Sequence, residues 1–273
     1  MHLHCKKRKN QLKILFVSIM ALTSLIFLYS PITLFVNAQP IDNQSSIPVI
    51  LIHGYASDSS VWVKWEKLLE NSNIPYLPVI FDNSDGHGDG CGSSLDHATE
   101  LDQIIEDFKV ETNSPKVNIV AHSKGGLDAR TYLGNNSSND SVANLVMLGT
   151  PNKGSPLADR DYEIDPCKPA VYDLMTNSTA IMSPINNNTN YYTIAGNWEP
   201  SYIPFTFIDS NCSLTPWYSY LKEGSSFLEG PDDGIVPLGS AQPPEFIPLG
   251  QTDNCHADLL SGEEYNLALQ ILK

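Results

Sequence analysis

"NIVAHSKGG" (Asn118–Gly126) carries the strongest local signal in this chain. An apolar run, Ile119–Ala121, ends in His122 and Ser123 and is followed by Lys124 and two glycines. Two local structures give that pattern. A strand can turn into a helix with Ser123 as a plain N-cap. Alternatively, Ser123 is raised as a nucleophile on a sharp strand-to-helix turn. Such a turn presses strand against helix and needs small residues two before and two after the serine. Ala121 and Gly125 meet that need, with Gly126 alongside.

Upstream, "IPVILIHGY" (Ile47–Tyr55) is a continuous β-branched apolar run, as expected of a strand covered on both faces. Trp62, Trp65, Leu68 and Leu69 then recur at helical spacing, with Asp58 or Ser59 as N-cap. "IPYLPVIF" is a second strand, although Pro78 argues against its inner half. The Gly- and Asp-rich "DGHGDG" (Asp85–Gly90) must be a loop. His87 and Asp89 in it are metal-capable, but a lone cluster of this kind reads first as a solvated turn.

Leu101, Ile104, Ile105 and Phe108 mark an amphipathic helix. "KVNIVAHS" is the third strand, "ANLVMLGT" the fourth and "NYYTIAG" the fifth, and "GIVPL" sits near a sixth. "ADLLSGEEYNLALQILK" reads as a closing helix. Strands alternating with helices predict an α/β fold, a mostly parallel sheet with helices on both faces. Residues 155–188 and 197–230 break the rhythm and read as lid-like excursions. The second is rich in aromatics, among them Trp198, Tyr202, Phe205, Phe207, Trp217, Tyr218 and Tyr220. These either line an apolar groove or pack the excursion onto the domain.

A serine hydroxyl needs a base, and in this architecture the order along the chain is Ser, acid, His. His256 is the single histidine after Ser123, so it has no rival as base. The acid should lie between them just past a strand. Asp233 of "GPDDGIVP" is chosen over Asp232, with Asp209 and Asp253 as weaker rivals. Its carboxylate would fix the tautomer of His256. A tetrahedral oxyanion needs two backbone donors: the amide of Lys124, directly after the serine, and that of Tyr55 in the loop after the first strand. His53 reads as a brace for that loop.

The first 38 residues carry five basic residues (Lys6, Lys7, Arg8, Lys9, Lys13), an apolar stretch from Ile14 and small residues Val36 and Ala38. That is the pattern of a secretory signal peptide; an uncleaved membrane anchor is the alternative. Either way the domain at 39–273 lies outside the cytoplasm. Without the leader, 11 of the 16 Lys and Arg face 31 Asp and Glu, a formal charge of −20. Nucleic acid is thereby excluded as a partner, since phosphate contacts need clustered cations. Cys91, Cys167, Cys212 and Cys255 remain, an even number suited to two disulfides in an oxidising compartment. The preferred pairing is Cys167–Cys212, tying the two excursions together, with Cys91–Cys255 as the remainder.

Taken in order, "PVILIHGY", "PKVNIVAHSKGGLDARTYL", "VMLGTPNKGSPLAD", "NYYTIAG" and "DDGIVP" resemble secreted bacterial triacylglycerol lipases of the α/β-hydrolase superfamily. The likeness covers most of residues 47–260, and "GTPNKGSPLAD" is its most specific part, resembling the segment that leads into the lid. It implies an α/β-hydrolase fold, a triad of Ser123, Asp233 and His256, oxyanion amides from Tyr55 and Lys124, and a lid from about Ser155 onward. It also implies carboxylic ester hydrolysis without a cofactor and a lipid or small ester as substrate, met in part at a lipid interface. Some such lipases hold a structural calcium near the His loop; Asp253 or Asp209 would serve, but no spacing compels it. Three features depart from the pattern: Lys124 stands where Met, His or Gln is common, Asn152 replaces a frequent His, and the lid stretch lacks a strongly apolar helix. Lys124 in the first helical turn opposes the helix dipole, and Asp128 one turn on offsets it. Thioesters, amides, polyesters or acyl transfer would suit the same triad, and a silent binding module is the alternative outside enzymes.

Overall fold

The computed structural model describes residues 46–82, 90–135, 140–200, 212 and 218–273. The chain divides into two units, Met1–Asn43 and Gln44–Lys273, and all of the described residues belong to the second. The leader, His87 and Asp89, Asp209, and the aromatics Tyr202, Phe205, Phe207 and Trp217 all lie outside the described residues.

Six strands form one parallel sheet: β1 (Val49–Ile52), β2 (Tyr76–Pro78), β3 (Val117–His122), β4 (Val142–Leu148), β5 (Asn190–Gly196) and β6 (Ile247–Thr252), in the order β2-β1-β3-β4-β5-β6. Every residue of β1 and β3 is buried, as their unbroken apolar runs require. Alternation along each strand sends side chains to two cores. Ile50, Ile52, Ile119 and Ala121 meet Leu101, Ile105 and Phe108 of α2 (Ser94–Glu111) and Ala129 and Tyr132 of α3 (Lys124–Asn135). Val49, Leu51, Val120 and Val146 meet Trp65 and Leu69 of α1 (Val63–Asn71) and Tyr265, Ala268 and Leu272 of α8 (Glu263–Leu272). Asp58 accepts from the Ser60 amide and caps a short 3-10 turn, Ser59–Trp62, that leads into α1.

Pro78 is tolerated because β2 is an edge strand. A polar rung crosses the sheet where Asn118, Asn144 and Asn190 stand in register: Asn144 Nδ2 donates to Asn118 Oδ1 at 2.8 Å, and Asn190 Nδ2 to Asn144 Oδ1 at 3.0 Å.

Two sequence expectations are corrected. "GIVPL" is a turn running into the short α7 (Leu238–Ala241), and the sixth strand is instead Ile247–Thr252. As an edge strand with half-exposed residues it accommodates Pro248 and Gly250 and carries no strong apolar signal. The closing helix is also shorter than expected. His256–Asp258 is a 3-10 turn, and α8 starts only at Glu263 because Gly262 takes a φ of 109°.

The first excursion is not a plain loop. It holds α4 (Pro156–Asp161), α5 (Lys168–Leu174) and a 3-10 turn at Ala180–Met182. The described part of the second holds α6 (Tyr218–Phe227). The expected disulfides are corrected as well: the bridges are Cys91–Cys167 and Cys212–Cys255. Their Cα atoms are 4.9 and 6.1 Å apart, within reach of a bridge. Each bridge ties one excursion to the frame, one to the loop before α2 and one to the loop of His256. The two excursions meet through polar side chains instead: Arg160 Nη1 with Glu223 Oε1 at 3.2 Å, and Tyr220 Oη donating to Asp161 Oδ2 at 2.8 Å. Spacing along the chain does not set connectivity, so four cysteines alone leave the pairing open. Trp198 is buried, edge-on to Tyr218 at 6.0 Å, so these two aromatics pack the excursion down. Among the described residues no helix is long and apolar enough to cross a membrane.

Candidate active site

Ser123 sits between β3 and α3 with φ +54°, a conformation that a non-glycine residue adopts only when its surroundings enforce it. The surroundings are a bond from its amide to the Leu148 carbonyl at 2.9 Å and tight packing on the helix side. A Cβ at Gly125 would collide with the backbone oxygens of Ile52 and His53, and one at Gly126 with Thr150. A Cβ at Gly54 would lie 2.8 Å from Ser123 Cβ. The small residues noted in the sequence are therefore required by close approach.

The structure brings Ser123, His256 and Asp233 together at the C-terminal rim of the sheet. His256 Nε2 lies 2.8 Å from Ser123 Oγ, and its Nδ1 lies 2.8 Å from Asp233 Oδ2. The carboxylate can only accept, so Nδ1 carries the proton and Nε2 is left to accept from the serine hydroxyl. Asp233 is fully buried, and its Oδ1 accepts from the amides of Ile235 and Val236 at 3.0 and 2.8 Å. The amide of His256 donates to the Asp233 carbonyl at 2.8 Å, so base and acid are joined by backbone as well as side chain. Asp253 is exposed and takes no part. A hydroxyl, an imidazole and a carboxylate in this chain can draw the proton from Oγ as the oxygen attacks an electrophile.

Two glycines that sequence reasoning does not single out make room for this chain. Gly149, at φ +56° after β4, would with a Cβ stand 3.1 Å from Asp233 Oδ2 and 3.2 Å from His256 Nδ1. A Cβ at Gly196, ending β5, would stand 2.7 Å from Asp233 Cβ. Their one signal is a glycine at the C-terminal end of two neighbouring strands. Glu264 is missed in the same way. Fully buried in the first turn of α8, it accepts from Thr252 Oγ1 and Asn254 Nδ2, both at 2.8 Å, and so pins the ends of the segment that carries His256.

The amides of Tyr55 and Lys124 donate to no acceptor among the described residues, and Gly54 packs Tyr55's loop directly against Ser123. The Tyr55 hydroxyl donates to Asp165 at 2.7 and 2.8 Å, and burial together with that carboxylate pushes its pKa upward. His53 is buried; its Nδ1 donates to the Gly54 carbonyl at 3.1 Å and its ring stands edge-on to Phe81. It braces the loop as the sequence suggested.

The Lys124 side chain is buried rather than free at the helix start. Its Nζ lies 2.6 Å from Asp128 Oδ1, so the offset of the dipole is a direct ion pair. His97 Nδ1 reaches Asp128 Oδ2 at 2.9 Å, and Ser94 Oγ donates to Oδ1 at 2.7 Å. Burial raises the Asp128 carboxyl, but Lys124 and His97 outweigh it and hold the group well below the usual carboxylate range.

Among the described residues, Cys212, Cys255 and Asp258 bring three metal-capable groups together, but the two sulfurs are spent on a disulfide.

Sheet order and the sharp turn at Ser123 together define the class: the chain has an α/β-hydrolase fold. The family model for the α/β hydrolase fold matches residues 47–180. Among named relatives, triacylglycerol lipase 2 of Saccharomyces cerevisiae is 28% identical over 176 residues, 58% of this chain and 51% of that one. A triacylglycerol lipase of Pseudarthrobacter phenanthrenivorans is 29% identical over 115 residues, 41% of this chain and 35% of that one. The chain thus matches about half of the first relative's length and about a third of the second's. Among solved structures, the mature form of the Bacillus licheniformis lipase BlEst2 superposes with a TM-score of 0.67 at 21% identity, covering 85% of this chain and 94% of that one.

Proposed function

We propose that this protein hydrolyses carboxylic esters of lipase or esterase type through an acyl-enzyme on Ser123. The observation that carries the reading is His256 held at 2.8 Å from both Ser123 Oγ and Asp233 Oδ2. Ser123 Oγ attacks the ester carbonyl carbon while Nε2 of His256 takes its proton. Asp233 keeps the imidazole in the right tautomer and stabilises the imidazolium. The carbonyl oxygen becomes an anion held by the amides of Tyr55 and Lys124. Collapse breaks the bond to the alcohol, which leaves with the proton from Nε2. Water then attacks the acyl-enzyme, gives its proton to Nε2, and the carboxylic acid departs as Ser123 regains a proton. Each step uses the chain's own residues and invokes no cofactor.

The substrate is an acyl ester, a triglyceride or shorter, as the named relatives suggest. Residues 155–188 cover the acyl side of the site; the bond from Tyr55 to Asp165, which joins the oxyanion loop to this first excursion, supports the reading. Residues 1–38 act as leader, and two disulfides support a place outside the cytoplasm. Hydrolysis of p-nitrophenyl esters of increasing chain length, set against emulsified triolein, tests the reading. Turnover that vanishes in Ser123→Ala is expected, and turnover that survives it would overturn the assignment.

A further inference from the structure

We infer that His122, the residue immediately before the nucleophile, is a positioning residue that locks the base His256 to the strand bearing Ser123. This role rests on the proposed roles of Ser123 and His256.

Strand alternation places position 122 on the same face as Val120, the face covered by α1 and α8. The loop that carries His256 comes down on that face just before α8. There His122 Nε2 lies 3.0 Å from the main-chain carbonyl oxygen of His256, and the two imidazole rings stand 4.8 Å apart, tilted by 44°. A carbonyl oxygen only accepts, so Nε2 of His122 is the donor and its proton position is fixed.

The consequence is a closed circuit. Ser123 holds the ring of His256 through Oγ and Nε2. His122, one residue back on the same strand, holds the backbone of His256 through its carbonyl. Asp233 holds both the ring, at Nδ1, and the amide. The peptide groups on both sides of the His256 Cα are therefore anchored, one to the acid and one to the nucleophile's strand. With its backbone fixed at both ends, the imidazole has little freedom to swing away from Oγ. Positioning of this kind acts on the rate of the chemical steps, since misplacing a reacting group by about 1 Å can cost on the order of 100-fold.

His122 is also suited to this post electrostatically. It is buried, and burial first, with repulsion from His256 second, pushes its pKa down to about 3. It stays neutral when His256 becomes an imidazolium, so it does not oppose the charge that forms. His256 and, with a smaller influence, His53 are the titratable groups that bear on it.

The test compares His122→Phe and His122→Leu, which fill the space without a donor, with His122→Gln, whose amide N–H can still donate. Rates are read per active site titrated with a fluorophosphonate, so a loss of folded protein does not enter. Expected in the Phe and Leu variants is a fall in kcat of about tenfold with KM within about twofold, from one unmade hydrogen bond. The Gln variant should recover most of that loss. Equal kcat per site in wild type and both donor-free variants overturns the inference, as does a Gln variant that falls as far as Phe. Labelling of the wild type and its absence in Ser123→Ala test the underlying reading separately. If those hold while the donor-free variants match wild type, only the role of His122 is lost.

Discussion

Asp233 and Asp232 are chain neighbours that face different partners. Asp233 turns Oδ2 to His256 Nδ1 at 2.8 Å, while Asp232 turns Oδ1 to the Gly234 amide at 2.6 Å and Oδ2 to Ser225 at 3.3 Å. Asn at 233 would present either the wrong donor or the wrong tautomer to the imidazole. Asp233→Asn should lower kcat by about 10³–10⁴-fold. Asp232→Asn keeps the oxygen that caps Gly234 and should stay within about threefold of wild type. Steady-state hydrolysis of a soluble ester by the two variants reads the difference, and equal losses would mean the wrong carboxylate has been chosen.

The ion pair of Lys124 and Asp128 is almost without solvent, at 1% and 2% side-chain exposure. Breaking such a pair from one side leaves a buried charge. Asp128→Asn should destabilise the fold by about 3–5 kcal/mol. Lys124→Met should cost less, because Asp128 keeps Ser94 and His97 as partners. Urea unfolding of the two variants gives the order, and a reversed order would contradict it. The same geometry sets a pH dependence. The Asp128 carboxyl titrates lower in the folded than in the unfolded chain, so its contribution is complete above about pH 4 and is lost as acid protonates the unfolded form first.

His122 adds a second acid-sensitive window. Its folded value is about 3, against about 6.5 in an unfolded chain. Between those values the unfolded chain binds a proton that the folded one refuses, so stability falls as pH drops from about 6.5 towards 3. Replacing His122 with Gln removes the titrating group. The melting temperature of that variant should fall less steeply with acid over this window than that of the wild type. Parallel curves would show that His122 does not titrate as its burial requires.

The two disulfides should separate by effect. Peptide mapping without reduction should recover Cys91 with Cys167 and Cys212 with Cys255. Losing either bridge should cost about 2–5 kcal/mol of stability. Only Cys212→Ser/Cys255→Ser should also lower kcat per titrated site, because Cys255 adjoins His256. A larger kcat loss from Cys91→Ser/Cys167→Ser would reverse that assignment.

Much of this site is legible from local chemistry. The small residues at 121, 125 and 126 announce the elbow, because close approach is a local demand that leaves a mark in sequence. His256 emerges from chain order and the lack of a rival. What is not legible depends on contacts between distant segments. The sixth strand, "IPLGQT", is a half-exposed edge whose Pro248 and Gly250 hide the strand pattern, whereas "GIVPL" shows that pattern and forms a turn. The roles of His122, Gly149, Gly196 and Glu264 arise only when the His256 loop descends on the sheet, and no spacing within any one of these segments encodes that meeting. The cysteine pairing is hidden for the same reason.

A covalent probe tests the nucleophile itself: treat the folded protein with a fluorophosphonate and map the adduct by mass spectrometry. A single adduct on the peptide containing Ser123 is expected, absent in Ser123→Ala and formed at least about 10³-fold more slowly in His256→Ala. An adduct on another residue, unchanged labelling in His256→Ala, or a well-folded wild type that takes up no phosphonate would contradict a nucleophile at Ser123 activated by His256.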